Sequence, residues 1–164
     1  MTLTHRPARP DDSALYFDWA NDPDTRQQSF NSNPIAPETH AGWFTRKLID
    51  ANALLLVFEN EADEPVGQVR FERQPEADMP DEVIISLSVD ASFRGQGLAH
   101  QLIRQGCTAC WEQWGDVPIH AYIKPDNRAS IRSFEQAGFT LSGESGKFTD
   151  SASDQLSLLY VNTP

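Results

Sequence analysis

Cysteine is scarce in this chain, with two thiols in 164 residues, Cys107 and Cys110, in a single C-x-x-C. A zinc site needs more ligands than one such pair offers. A thioredoxin-type motif opens a helix, whereas the stretch around Cys107 and Cys110, from Leu102 to Trp111, reads as the middle of one. Buried structural thiols are expected, and no metal site. Long apolar runs are missing too. The longest, Ala53–Phe58 (ALLLVF), falls far short of the ~20 residues that span a bilayer. Met1–Pro10 is polar and has no secretion-signal core, so the expected location is cytoplasmic, with no membrane partner. Positive charge is the third shortage: 13 Lys and Arg stand against 24 Asp and Glu, for a net charge of −11. Such a surface repels nucleic acid. It is compatible with a cationic acceptor such as a protonated amine, and equally with solubility alone.

What is present suits one soluble domain over 1–164. Thr2–Arg6 reads as a strand, and Asp11-Asp12-Ser13 caps a helix carrying Leu15, Phe17 and Trp19. Asn21-Asp22-Pro23-Asp24 stops that helix, and Pro37-Glu38 opens the next, through Trp43, Phe44 and Leu48. Strands follow at Ala53–Glu59 and Val66–Phe71, then an acidic loop at Gln74–Asp81. Val83–Val89 alternates as a strand. A helix is expected over Gln96–Trp114, a strand at Val117–Ile123, and a short helix at Asn127–Ala137 ended by Gly138. Strands from Phe139 and at Gln155–Asn162 close a mixed α/β sheet that is not doubly wound.

The informative stretch is Leu87-Ser88-Val89-Asp90-Ala91-Ser92-Phe93-Arg94-Gly95-Gln96-Gly97-Leu98-Ala99. A strand runs into a glycine-punctuated turn and then into a helix. The first N–H groups of a helix lack internal partners, and its dipole makes that end positive. Gly95 and Gly97 permit close approach of the backbone to a ligand, and Arg94 adds a fixed charge beside the phosphates. The loop is an anion cradle. It is not a P-loop, since no G-K-[ST] follows, and it lacks the third glycine and ribose-binding acid of a Rossmann turn.

Two motifs resemble the GNAT superfamily of acetyltransferases. Arg94-x-x-Gly97-x-Ala99 matches its R/Q-x-x-G-x-G/A pattern, and Asn127 to Phe139 is similar to its N-x-x-S/A-x-x-x-Y/F-x-x-x-G-F signature. The resemblance implies the GNAT fold: a mostly antiparallel sheet of six to seven strands, helices on both faces, and a V-shaped splay after the fourth strand. It implies that acetyl-CoA is the cosubstrate, with Gly95, Gln96, Gly97, Leu98 and Ala99 holding the pyrophosphate. Leu87, Ser88 and Val89 would pair with the pantetheine arm, and Asn127, Ser130 and Phe134 would lie beside it.

In this family an acceptor amine attacks the thioester directly. A neutral amine, an oxyanion donor and a proton for the thiolate are then needed. The resemblance makes the Val89 N–H the oxyanion donor. Many relatives carry a tyrosine acid where this chain has Phe134, which cannot donate a proton. Water, Ser130, Ser133, another tyrosine or unassisted departure of the thiolate fills that gap. Glu82 is the first candidate base and His40 the second.

The N-terminal helical segment, with Asn21, Arg26, His40 and Trp43, resembles that of aminosugar N-acetyltransferases of the pseudaminic-acid pathway. Those four residues are the candidate acceptor-binding set, and a UDP-linked aminosugar is the acceptor implied. A ribosomal-protein or protein N-terminal acetyltransferase and a silent acyl-CoA sensor are the alternatives. Monomer and strand-sharing homodimer both suit the apolar Leu156–Val161 segment.

Overall fold

A computed structural model describes residues 1–74, 82–149 and 156–164; the expected acidic loop lies, beyond Gln74, outside the described residues. The order is β1 (Thr4–Pro7), a 3₁₀ turn at Pro10–Asp12, α1 (Ser13–Asn21), α2 (Pro23–Gln28), α3 (Pro37–Leu48), β2 (Ala53–Glu59), β3 (Pro65–Arg73) and β4 (Val83–Val89). After a 3₁₀ turn at Ala91–Phe93 come α4 (Ala99–Trp114), β5 (Ile119–Ile123), α5 (Arg128–Gln136), β6 (Thr140–Thr149) and β7 (Leu156–Asn162).

The strands form one seven-stranded sheet in the order β1-β2-β3-β4-β5-β7-β6. Every pairing is antiparallel except β4–β5. That parallel pair touches only through Val83 with Ile119 and Ile84 with His120, so the two strands part beyond Ile84. The sheet is the expected GNAT arrangement, with its splay after β4. The chain's last strand, β7, pairs on both sides within the chain, with β5 and β6.

Alternation along the strands builds two cores. Leu54, Leu56, Phe58, Val69, Phe71, Val83 and Ile85 face one way and pack with Leu102, Ile103, Cys107 and Cys110 of α4 and Phe134 of α5. Leu55 and Val57 face the other way, toward Tyr16 and Trp19 of α1 and Phe44 of α3. Each fully buried side chain of this kind contributes about 1.5–3 kcal/mol of transfer free energy. Gly106 brings α4 close to β3, since a Cβ there would lie 3.1 Å from Val69 Cγ1. Both thiols are free and buried; burial pushes the pKa of Cys107 up and that of Cys110 to about 12.

Among the boundaries that differ from the sequence expectation, two bear on the loops around the site. The helix expected from Gln96 begins at Ala99, because Gly95 and Gly97 take φ of +75° and +70°, left-handed values that a continuing helix excludes. The segment read as a stop at Asn21–Asp24 also starts α2. Asp22 caps it by accepting from Thr25 N–H at 3.1 Å, with Pro23 in its first turn.

Candidate active site

The splay opens into a cleft of about 1310 Å³. It passes from the α4–α5 side of the sheet, between β4 and β5, to the side covered by α1 and α3. Leu87, Ser88, Val89, Arg94, Gly95, Gly97, Leu98, Ala99, Asn127, Ser130 and Phe134 all lie on its walls, as do Arg26, His40 and Trp43. Asn21, Glu82 and Gln96 do not.

The edge of β4 facing the cleft turns backbone groups away from β3. Asp90 N–H donates to Val66 O at 2.7 Å, and Val89 and Leu87 stand opposite Gly67 and Val69. This register puts Leu87 and Val89 at non-hydrogen-bonded positions of the β3–β4 ladder, so their N–H and C=O groups turn to the other edge. β5 has already diverged there, and Val89 O accepts from Arg94 Nε at 3.1 Å.

Beyond β4 the chain forms the loop. Neither Gly95 nor Gly97 has any atom within 4 Å of where a Cβ would stand, and no side chain caps the N-terminus of α4. Beyond their own chain neighbours, the space above both glycines is open. Arg94 points across the cleft mouth: its guanidinium reaches Asp22 at 2.8 Å and Asp24 at 3.1 Å. Trp19 Nε1 donates to Asp90 Oδ2 at 2.8 Å. These contacts fasten the α1–α2 junction to the end of β4, which joins the two halves of the cleft. On the opposite wall Asn127 caps α5 by accepting from Ser130 N–H at 3.2 Å. Phe134 is buried with its ring edge-on to Phe139, 5.0 Å between centroids.

The remaining candidates divide. Asn21 closes a loop, donating to Ile35 O at 3.0 Å and accepting from Ile35 N–H at 2.7 Å. Arg26 orders the next segment by donating to Asn31 O and Asn33 O at 3.0 and 3.1 Å. His40 is buried among Phe17, Trp43 and Phe44, and its Nδ1 has no partner. Burial, and then the nearby Arg70 charge, holds its pKa below the ordinary value. Trp43 lies under the Arg70 guanidinium, 4.9 Å from the ring centroid.

Glu82 sits behind this wall, its side chain 0% exposed. One carboxylate oxygen accepts from Tyr122 Oη and lies 2.7 Å from His120 Nδ1; the other accepts from Lys147 Nζ. Burial alone would raise its pKa, but Lys147, Tyr122 and His120 together hold it below the usual carboxylate range. Tyr122 stands between Glu82 and the cleft, backed by Phe148, which stacks on Phe30 at 5.6 Å.

The model of an acetyltransferase (GNAT) domain family matches residues 2–140. The chain belongs to that family. It is therefore an acetyltransferase by family, and solved structures share its fold. The aminoglycoside acetyltransferase AAC(6')-Ib with coenzyme A is 20% identical, with TM-score 0.80 over 99% of this chain and 95% of that chain. Spermidine N-acetyltransferase from Vibrio cholerae with coenzyme A and spermine is 16% identical, with TM-score 0.85 over 98% and 95%. A putative phosphinothricin N-acetyltransferase is 21% identical, with TM-score 0.81 over 99% and 98%. Curated protein sequences give no match.

Sequence reasoning passed over several wall residues of this acetyltransferase: Tyr16, Gln68, Arg70, Tyr122 and Lys124. Gln68 and Arg70 left a signal. They alternate with Val69 and Phe71 on a strand that helices cover on both faces, where both faces should be apolar. Among the described residues no group of His, Cys, Asp and Glu is placed to hold a metal, and no helix is long and apolar enough to cross a membrane.

Proposed function

We propose that this acetyltransferase uses acetyl-CoA to acetylate the primary amine of an anionic small molecule, a nucleotide-linked aminosugar being the acceptor class that suits its cleft. The observation that carries this is charge. The protein has a net charge of −11, yet among the described residues its cleft is lined by Arg26, Arg46, Arg70, Arg94, Lys124 and Arg132, with Asp24 the acid among them. Arg94 is paired with Asp22 and Asp24 and Arg70 with Glu72, so Arg26 and Arg46 carry the charge of the acceptor side beyond those pairs. Arg94 belongs to the cofactor loop and Arg132 to α5, whereas Arg26, Arg46 and Arg70 stand with Trp19, Phe30 and Trp43 on the acceptor side. Arginine forks bind phosphate and carboxylate, and the aromatic walls suit a flat base or a sugar face. A polyamine, an aminoglycoside or a basic protein tail would meet like charge there.

The cofactor half fits coenzyme A. The space above Gly95 and Gly97 is one that any Cβ would enter, and the uncapped amides at the start of α4 suit a pyrophosphate. Leu87 and Val89 offer the pantetheine arm a strand edge, with Asn127, Ser130 and Phe134 on the facing wall. When bound, acetyl-CoA supplies the thioester carbonyl that the amine attacks. Val89 N–H faces the cleft as the oxyanion donor. Phe134 holds no proton to give, and a thiol pKa of about 8.5 suits departure without an acid.

We assign the base to His40. It lines the cleft and is neutral at physiological pH, because burial holds its pKa down. Glu82, enclosed and held as an anion, acts instead by fixing Tyr122 in the wall.

Acetyl-CoA turnover followed by mass spectrometry tests the acceptor class. A UDP-linked 4-amino-deoxysugar, spermidine, kanamycin, free amino acids and basic N-terminal peptides form the panel. Acetylation of the sugar nucleotide, with spermidine and kanamycin untouched, is expected. Preferred acetylation of a polycation would overturn the charge argument.

A further inference from the structure

The floor of the cleft on its α1–α3 side is polar where a core would be apolar. Across β2, β3 and β4 the side chains on that face run from Leu55 and Val57 to Arg70 and Gln68, then to Ser86 and Ser88, in direct register. The opposite face keeps Val69, Phe71, Val83 and Ile85 in its core.

Within this floor Gln68 is 5% exposed. Its Nε2 donates to Ser88 Oγ at 2.9 Å, and its Oε1 has no partner. An unmet acceptor inside a protein is costly. Three more buried polar atoms without hydrogen-bond partners, Tyr16 Oη, Arg26 Nε and His40 Nδ1, belong to helices α1, α2 and α3, and all four residues line the cleft. Unmet polar atoms collected at one cleft point to a polar ligand.

The position of Gln68 adds to this. Its neighbour Gly67 stands opposite Val89, and β3 approaches so closely that a Cβ on Gly67 would fall 2.4 Å from Ser88 O and 3.2 Å from Val89 Cα. Gln68 is thus one residue along and one strand across from the peptide that offers its N–H to the cleft. We infer that Gln68 holds the attacking amine of the acceptor, its Oε1 accepting an amine N–H while Ser88 fixes the amide. This rests on the acetyltransferase reading above. A neutral amide oxygen suits the task. It orients the nitrogen without favouring the ammonium form, which a carboxylate in its place would stabilise. Among the described residues, the other charged or titratable groups at this floor are His40, Tyr16 and Arg70, the last ion-paired at 2.6 Å with Glu72, which also pairs with Lys47.

The test compares wild type, Gln68→Met, Gln68→Glu and Ser88→Ala, with the panel amine that wild type acetylates best as acceptor. The coenzyme A affinity of both Gln68 variants should equal that of wild type. Gln68→Met should lose about 10- to 100-fold in kcat without lowering Tm, because it removes an unmet polar atom. Gln68→Glu should move the acid limb of the kcat/KM profile about one unit to higher pH, the new carboxylate favouring the ammonium. Ser88→Ala should fall between wild type and Gln68→Met. An unchanged kcat in Gln68→Met, or an unmoved limb in Gln68→Glu, overturns the inference. A wild type that binds coenzyme A but acetylates some amine other than the sugar nucleotide overturns only the acceptor class. A wild type that acetylates nothing overturns both.

Discussion

Gly97→Val is expected to abolish coenzyme A binding while leaving the protein folded. At φ +70° the glycine lies in the left-handed region, where an L-residue costs about 1–2 kcal/mol. That is small beside the roughly 5–15 kcal/mol of a typical domain. A Cβ there meets no atom within 4 Å, so the free protein takes the change with a modest fall in Tm, about 2–8 °C. The valine instead fills the space over the loop amides. Calorimetric titration should show affinity reduced by more than about 100-fold, or roughly 3 kcal/mol. Undiminished binding would remove the loop's assignment to the cofactor.

The second large effect is on stability. Glu82→Gln removes an anion with a fully enclosed side chain and three partners, Lys147, Tyr122 and His120. Lys147 is 31% exposed and can turn to water, which limits the loss to about 1.5–3 kcal/mol, the range for hydrogen bonds to a charged group. A fall in Tm of about 5–10 °C follows for a chain of this size. The sign with pH is set by the lowered pKa of Glu82. Its contribution is present above the unfolded value near 4.3 and is lost as pH falls toward the folded value. The Tm gap to wild type should therefore be full at pH 7 and narrow below about pH 4.3. The part of the kcat/KM acid limb that His40 contributes, below pH ~6.5 where it gains its proton, should persist in Glu82→Gln and be lost in His40→Gln, which keeps only the limb of the acceptor's own ammonium. A limb lost with Glu82 and kept without His40 would return the base to Glu82.

Much of this architecture was legible beforehand. Strands β2 and β4 carry strong period-two or apolar signals and begin and end where their residues predict. The glycine loop was legible because its chemistry is local: backbone amides, two left-handed glycines and a helix start lie within a dozen residues. The acceptor side is assembled from distant segments, and there a single residue's type says little about what it touches. Asn21 looks like a substrate ligand, yet both ends of its amide are taken by Ile35. Glu82 looks like a base at a strand entrance, yet Lys147 and Tyr122, 65 and 40 residues away, enclose it. Only tertiary pairing brings those partners in, and no local pattern announces them. Gln68 was different, since a glutamine alternating with core residues on a doubly covered strand is visible as an anomaly.

The cleft's central assignment is that coenzyme A lies between the loop and the open edge of β4. Titrating coenzyme A into ¹⁵N-labelled protein and following the backbone amides tests it most directly. The largest saturable shifts should fall at Gly95, Gly97, Leu98, Ala99, Leu87 and Val89, with Asn127 and Ser130 following on the facing wall. Saturable shifts confined to other parts of the protein, or none at millimolar coenzyme A, would contradict it.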